Sequence, residues 1–391
     1  MVSYEPRKFI LLRREKMKRT TLVIAALGLF LFCQAAQAQW TPAKELTWNA
    51  DDDVNGNIAV DSSGILHVIW EGWRTYPMTD ACEIFYKKST NGGVTWTPTR
   101  RITWRESLFR YVDIAVDSYD NIHVVWYEEA YGHNEICYTK STDGGATWTA
   151  ARYITWAAWS RYPEIIADSS TNLYVTFADG LSGDWVPYYK KSTDSGATWS
   201  PRRAWAFGRA LSVDPSGHLH MVWGDSSPGN QEIYYKKSTN GGDTWTARRR
   251  LTWTAGDSKG PEISIDPSGQ FHVLWCDNTS GQYEYYYKKS TDGGNSWTSA
   301  KRVTWGLSVL GQLTVAADPS HILHAVWVDS APGNHELCYT NTGGAAIKRL
   351  TWNSGSSEDP DLIADPSGNL HLVWYDDTPG NWEIYYKKYI K

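Results

Sequence analysis

The chain of 391 residues has almost no helical periodicity, only one long apolar run and no excess of basic residues. The first absence argues against helical and α/β classes, because amphipathic helices repeat apolar residues every three to four positions. The one apolar run, Leu22 to Phe32, has about eleven residues and is too short to cross a bilayer. No membrane span is therefore expected. The net charge of −5 argues against a nucleic-acid partner, which requires a basic footprint. No C-x-x-C pair occurs among the cysteines. Cys137 and Cys338 stand where other repeat units carry tyrosine, and with Cys82 and Cys276 they read as buried thiols.

The start of the chain reads as a removable leader. Met17-Lys18-Arg19 precedes the apolar run, and Ala36-Gln37-Ala38 offers a small-x-small cleavage site. Residues 1–38 are thus expected to be removed, with 1–16 an upstream extension. Phe32 before Cys33 is too large for a lipoprotein signal. The expectation is soluble export from a bacterial cell, to the periplasm or beyond. Residues 1–38 carry seven basic and two acidic side chains, so the remainder has a net charge of −10.

What the sequence has in abundance is repetition. The tag D-P-S-G or a variant begins at Asp61, Asp117, Asp168, Asp214, Asp266, Asp318 and Asp365, at spacings of 46 to 56 residues. Each unit contains an apolar run, the tag, a run such as LHMVW (219–223), a variable loop, a run such as EIYYKKS (232–238), and a last segment ending in L-T-W. Four short β-rich runs per unit predict a four-stranded antiparallel sheet. Seven such sheets predict an all-β, seven-bladed β-propeller filling residues 39–391 as one domain. The last unit stops after its third run, while QWTPAKELTW (39–48) reads as a fourth strand. The N-terminal strand is expected to complete the last blade and close the ring.

Between the third and fourth runs lies an octet: STNGGVTW (89–96), STDGGATW (141–148), STDSGATW (192–199), STNGGDTW (238–245) and STDGGNSW (290–297). Unit six has TNTGGAAIK (340–348) instead. Asn91, Asp143, Asp194, Asn240 and Asp292 can each accept backbone N–H groups within a turn. An amide at Asn91 and Asn240 keeps that turn but cannot act as a general acid. The octets therefore read as structural turns.

The pattern S-x-D-x-G-x-T-W resembles the Asp-box, or bacterial neuraminidase repeat, of the sialidase-like propeller superfamily. The resemblance covers all seven units. It implies the propeller fold but no single activity, because the superfamily includes sialidases, other glycan hydrolases and non-catalytic lectins. Sialidases proper are similar to six-bladed rings, whereas seven units are counted here. The family's Asp-boxes lie opposite its active site. A sialidase would also bring an F/Y-R-I-P motif, three arginines, a Tyr–Glu pair and an acidic acid/base. No R-I-P follows residue 38. The nearest string, Arg161-Tyr162-Pro163, is partly repeat sequence, since Pro163 aligns with Pro261 and Pro360.

Six histidines (His67, His123, His220, His272, His324, His371) share one repeat position, and one per blade cannot form a compact metal site. Asp51-Asp52-Asp53 reads as a solvated loop. No metal or cofactor is expected. Of 23 tryptophans, 19 fall at three repeated positions, the octet end, the L-T-W end and the H-x-x-W end, and are expected in the core. The exceptions are Trp73, Trp159, Trp185 and Trp382. Arg74, Arg105, Arg110, Arg161 and Arg209 likewise depart from the repeat. These residues fall in or beside the loops of one face, mostly in units one to four.

Trp73, Arg74, Arg105, Arg110, Trp159, Arg161, Trp185 and Arg209 are therefore the expected ligand-binding residues. Aromatic faces beside guanidinium groups suit a sugar bearing a carboxylate or sulfate. The leading expectation is a non-catalytic, lectin-like module for acidic, including sialylated, glycans. A sialidase-like exo-glycoside hydrolase is the alternative, and a scaffold with a protein partner is the second alternative.

Overall fold

The L-H-x-V-W runs alternate so tightly between apolar residues that both faces of each strand must be covered, and the architecture follows from that demand. The computed structural model describes residues 39–391 except 77–78, 105–108, 131, 157–158, 181–185, 205–209, 307–310 and 331–332. The leader expected at 1–38 lies outside the described residues. Trp40–Tyr389 forms one unit; the other is Met1–Gln39 with Ile390–Lys391. The first unit is a ring of seven four-stranded antiparallel blades, with no helix among the described residues. Blade one comprises Asp53–Val60, Leu66–Tyr76, Thr79–Ser89 and Arg100–Arg101. The other blades repeat this order from the inner to the outer strand.

Blade seven takes its outer strand from the other end of the chain. Lys44–Glu45 pairs antiparallel with Glu383–Ile390, with Lys44 opposite Tyr386 and Glu45 opposite Tyr385. Leu46 donates its N–H to Ile384 O (2.7 Å), and Ile384 donates to Thr47 Oγ1 (2.9 Å). Trp40 packs edge-on to Tyr339 of blade six, at 5.3 Å. Trp148 of blade two meets Tyr86 of blade one in the same way, at 5.4 Å.

Blades are locked together by a repeated buried relay. In six blades the H-x-x-W histidine holds a tyrosine hydroxyl through Nδ1 at 2.7–2.8 Å. Its Nε2 faces the tag aspartate at 3.0–3.4 Å. Burial holds His220 down to about 4, so this imidazole is neutral at physiological pH. The tyrosine ring ends against the octet of the next blade: Tyr86 Oη approaches Gly144 O at 3.4 Å.

The octets form closed hydrogen-bonded turns. Asp143 Oδ1 accepts from Ser141 Oγ and from Thr147 N, both at 2.8 Å. Asn91 and Asn240 keep the backbone bond to Thr95 and Thr244 (2.8 and 2.9 Å) and donate from Nδ2 to the threonine hydroxyl. Among the described residues, Cys82, Cys137, Cys276 and Cys338 carry free thiols.

Side chains on the inner strands stitch neighbouring blades. Asp361 accepts from Ile58 N (2.8 Å), and Asp113 accepts from Ile165 N (2.7 Å). Burial pushes the Asp113 carboxyl up to about 8, with the Ile165 amide acting against the shift. An unfolded aspartate titrates near pH ~4. Between these values the folded chain holds a proton that the unfolded chain has released, so this group's contribution to stability falls as pH rises. The slope approaches ~1.4 kcal/mol per pH unit. Asp113→Asn removes it. Melting curves at pH 5 and pH 8 should show the variant gaining on the native chain as pH rises; parallel curves would contradict the assignment.

Candidate functional site

Five inner strands carry a bulge at the same register, between Val54/Asn57, Arg110/Asp113, Arg161/Glu164, Lys259/Glu262 and Glu358/Asp361. In each, one residue is left-handed: Asn55 (φ 52°), Tyr111 (54°), Tyr162 (55°), Gly260 (53°) and Asp359 (49°). Glycine, asparagine and aspartate visit this region readily, whereas for a bulky residue it is an outlier costing about 1–3 kcal/mol. Blades one, five and seven use the tolerant residue types. Adjacent blades two and three place tyrosine there instead.

Tyr111 and Tyr162 are 44% and 47% exposed. Their rings meet edge-to-face at 4.7 Å. Tyr127, buried behind them, stacks on Tyr111 at 5.9 Å and lies edge-on to Tyr162 at 6.4 Å. Burial pushes the Tyr127 hydroxyl up to about 12, while Arg110 and Arg161 draw it down. Arg110 lies 4.8 Å over the Trp73 ring, and Arg161 lies 6.0 Å from that of Trp159. With the Asn134 amide oriented to suit its neighbours, its oxygen accepts from Arg161 Nε and Nη2, the latter at 2.9 Å.

Carboxyl groups complete the cluster. Glu71 is buried and accepts from Asn55 Nδ2 (2.9 Å) and Val112 N (3.2 Å), so it braces the bulge of blade two. Burial pushes it up to about 7 against those hydrogen bonds. Asp359 from blade seven is half-buried, and burial with nearby Glu358 pushes it up to about 6. Burial, Tyr162 and Asp359 together raise the Tyr111 hydroxyl above its ordinary value.

Four of the expected residues therefore come together: Trp73, Arg110, Trp159 and Arg161. Trp73 lies within the strand Leu66–Tyr76 rather than in a loop, because the central hairpin of blade one has eleven-residue strands where most blades have seven. Arg110 and Arg161 sit on the inner strands themselves. Trp382 borders the same region: it lies edge-on to Tyr375 at 4.9 Å, and Asp52 accepts the backbone N–H of Trp382 (3.0 Å) and of Trp73 (2.7 Å). The Arg74 side chain, Arg105, Trp185 and Arg209 lie outside the described residues.

Sequence reasoning missed Tyr111, Tyr162, Tyr127, Glu71 and Asp359. The available signal was Arg-Tyr at 110–111 and again at 161–162, in register with Gly260 of the repeat. Reasoning also misplaced one set of tryptophans. The H-x-x-W tryptophans are buried, and the octet-end tryptophans are half-buried. The L-T-W tryptophans Trp48, Trp104, Trp156, Trp253, Trp305 and Trp352 are 66–75% exposed. The fourth strand pairs for only two residues, and the tryptophan stands three residues beyond the last pair, where no neighbouring strand covers it. Among the described residues, no cluster of three or more His, Cys, Asp or Glu is arranged to hold a metal.

No protein-family model matches the chain, and no curated protein does. Solved structures do. A protein of unknown function from Dyadobacter fermentans DSM 18053 aligns at TM-score 0.55 and 14% identity, over 91% of this chain and 100% of that one. An ulvan lyase of polysaccharide lyase family PL25, bound to -[GlcA(1-4)Rha3S]-, aligns at 0.59 and 11%, over 88% and 95%. The Hadza microbial sialidase Hz136 aligns at 0.48 and 13%, over 86% of this chain and 65% of that one. At these identities the first two likenesses show the fold alone.

Proposed function

We propose that the chain is an exported, non-catalytic carbohydrate-binding propeller of the Asp-box type, with leader removal after Ala38, and that it binds acidic glycans at the tyrosine–arginine cluster. The observation that carries this reading is the pair of exposed tyrosines held left-handed where other blades use glycine, asparagine or aspartate. Strain of this kind persists where a site needs the side chain. Tyr111 and Tyr162 offer ring edges and hydroxyls, Trp73 and Trp159 offer apolar faces, and Arg110 and Arg161 can pair a carboxylate or sulfate. Arg74, Arg105, Trp185 and Arg209 belong to the proposed site by sequence position. The uronate and sulfate on the ulvan lyase's ligand make such sugars sensible first probes.

The hydrolase reading has one observation in its favour: Asp359, pushed up to about 6, stands near Tyr111 and could deliver a proton. Glycosidases ordinarily need a second carboxylate. Glu71 is buried, and its Oε1 already accepts from the amide of Val112 and the side chain of Asn55. A protein-binding scaffold would show itself by capture that is independent of glycan.

The reading is tested by Tyr162→Gly and Arg161→Ala. Tyr162→Gly should hold stability within about 1 kcal/mol of the native chain, since relief of strain offsets lost packing. Both changes should weaken binding to a uronate-containing oligosaccharide at least tenfold by calorimetry. Undiminished binding by both variants would exclude this cluster as the site.

A further inference from the structure

The exposed L-T-W tryptophans carry a second, independent argument. Each is held in place by its neighbours rather than by burial. The preceding threonine accepts a backbone N–H from the adjacent strand, as in Ile136 N to Thr155 Oγ1 and Ile233 N to Thr252 Oγ1, both 2.8 Å. In blades four and five the arginine three residues earlier pairs with a buried glutamate: Arg250 with Glu232 (2.7 Å) and Arg302 with Glu284 (2.6 Å). The same guanidinium lies 5.6 Å from the Trp253 or Trp305 ring centre, and Arg349 lies 4.3 Å from that of Trp352. The indole is thus fixed in position while most of its surface faces solvent. One exposed tryptophan requires no explanation, but six at one repeat position do.

Beside Trp253 lies a cavity of about 240 Å³ between blades four and five, bounded by Thr254, Trp275, Asp277, Thr279, Tyr286 and Lys288. Lys288, from the next blade, donates to Leu251 O (2.5 Å) and lies 5.8 Å from the Trp253 ring. The blade seven–one junction repeats this arrangement: Lys87 donates to Leu46 O and lies 5.3 Å from the Trp48 ring. Arg250 is paired with Glu232, and the cleft is lined by one carboxylate, Asp277, as well as by Lys288, so it does not call for an anionic ligand.

We propose that the clefts beside these tryptophans are a second, multivalent set of sites for neutral pyranosides, repeated at the blade junctions and separate from the tyrosine–arginine cluster. The C–H face of a sugar ring stacks on the indole, and its hydroxyls meet Thr254, Thr279 and Lys288. The sites are isolated from one another and related by the blade repeat. They therefore suit a ligand presented in many copies, such as a polysaccharide or a glycan-covered surface, and avidity multiplies a weak single contact.

The test measures dissociation of the purified full chain from immobilised mannan, galactan and β-glucan. The native chain should be retained on at least one. Trp253→Ala should dissociate at most a few-fold faster. A variant with all six exposed tryptophans changed to alanine should dissociate at least ~100-fold faster, with an unchanged circular dichroism spectrum. Arg161→Ala should be retained like the native chain, which separates this result from any failure of the acidic-glycan reading. Should the sixfold variant fail to fold, indole N–H resonances of the native chain decide the matter. On titration with the methyl glycoside of the retained sugar, signals that move with the L-T-W tryptophans support the proposal. Movement of Trp73 and Trp159 alone overturns it. Retention that survives in a folded sixfold variant, or native chain retained on none of the matrices, also overturns it.

Discussion

Deleting Trp40–Thr47 should abolish cooperative folding or lower the melting temperature by tens of degrees. The segment is eight residues, but it supplies the outer strand of blade seven. Leu46 is 1% exposed and packs in the core shared by blades seven and one. Loss of a buried leucine side chain alone costs about 2–5 kcal/mol. Its removal also leaves Ile384 N without Thr47 and exposes a strand edge along Glu383–Ile390. Domains of this kind have only about 5–15 kcal/mol of net stability. The circular dichroism melt of the deletion checks this, and adding the missing segment as a peptide should restore part of the signal. A melt unchanged by the deletion would mean that the ring closes by some other contact.

Gly145→Ala should destabilise the chain by about 2–4 kcal/mol, far more than alanine at an equally left-handed glycine elsewhere. Gly145 has φ 83°, and a Cβ there would overlap the Tyr86 hydroxyl. That hydroxyl is held by His67 Nδ1 at 2.7 Å, and His67 faces Asp61, so the tyrosine cannot yield without breaking the relay. Backbone strain and steric overlap therefore add. Gly64 is the control: its φ is 77°, but nothing lies within 4 Å of a Cβ there. Gly64→Ala should cost about 1 kcal/mol. Urea midpoints for the two variants should differ clearly. Equal midpoints would show that the octet does not depend on close approach to the preceding blade.

The same comparison explains what could be read from the sequence. Seven blades, ring closure and the octet turns were legible because each is a local pattern repeated with small changes. Repetition alone does not reveal burial. Three tryptophan positions recur equally well, yet Trp126 is fully buried, Trp148 is half-buried and Trp156 is 73% exposed. The difference lies in how long the fourth strand stays paired, which spacing does not encode. At the candidate site, Arg110 and Arg161 stood out as departures from the repeat. Tyr111 and Tyr162 did not, because tyrosine is common throughout the chain. Their significance rests on the backbone: the bulge makes that register position left-handed. Glu71 and Asp359 became visible only once the ring brought blades one, two and seven together.

A glycan array with the purified chain, run beside Arg161→Ala and paired with a fluorogenic sialoside assay on the same sample, would decide between binding and catalysis. The predicted result is binding to acidic glycans that is lost in Arg161→Ala, with no turnover. Turnover that disappears with Arg161→Ala would instead make the cluster an active site and contradict the non-catalytic reading.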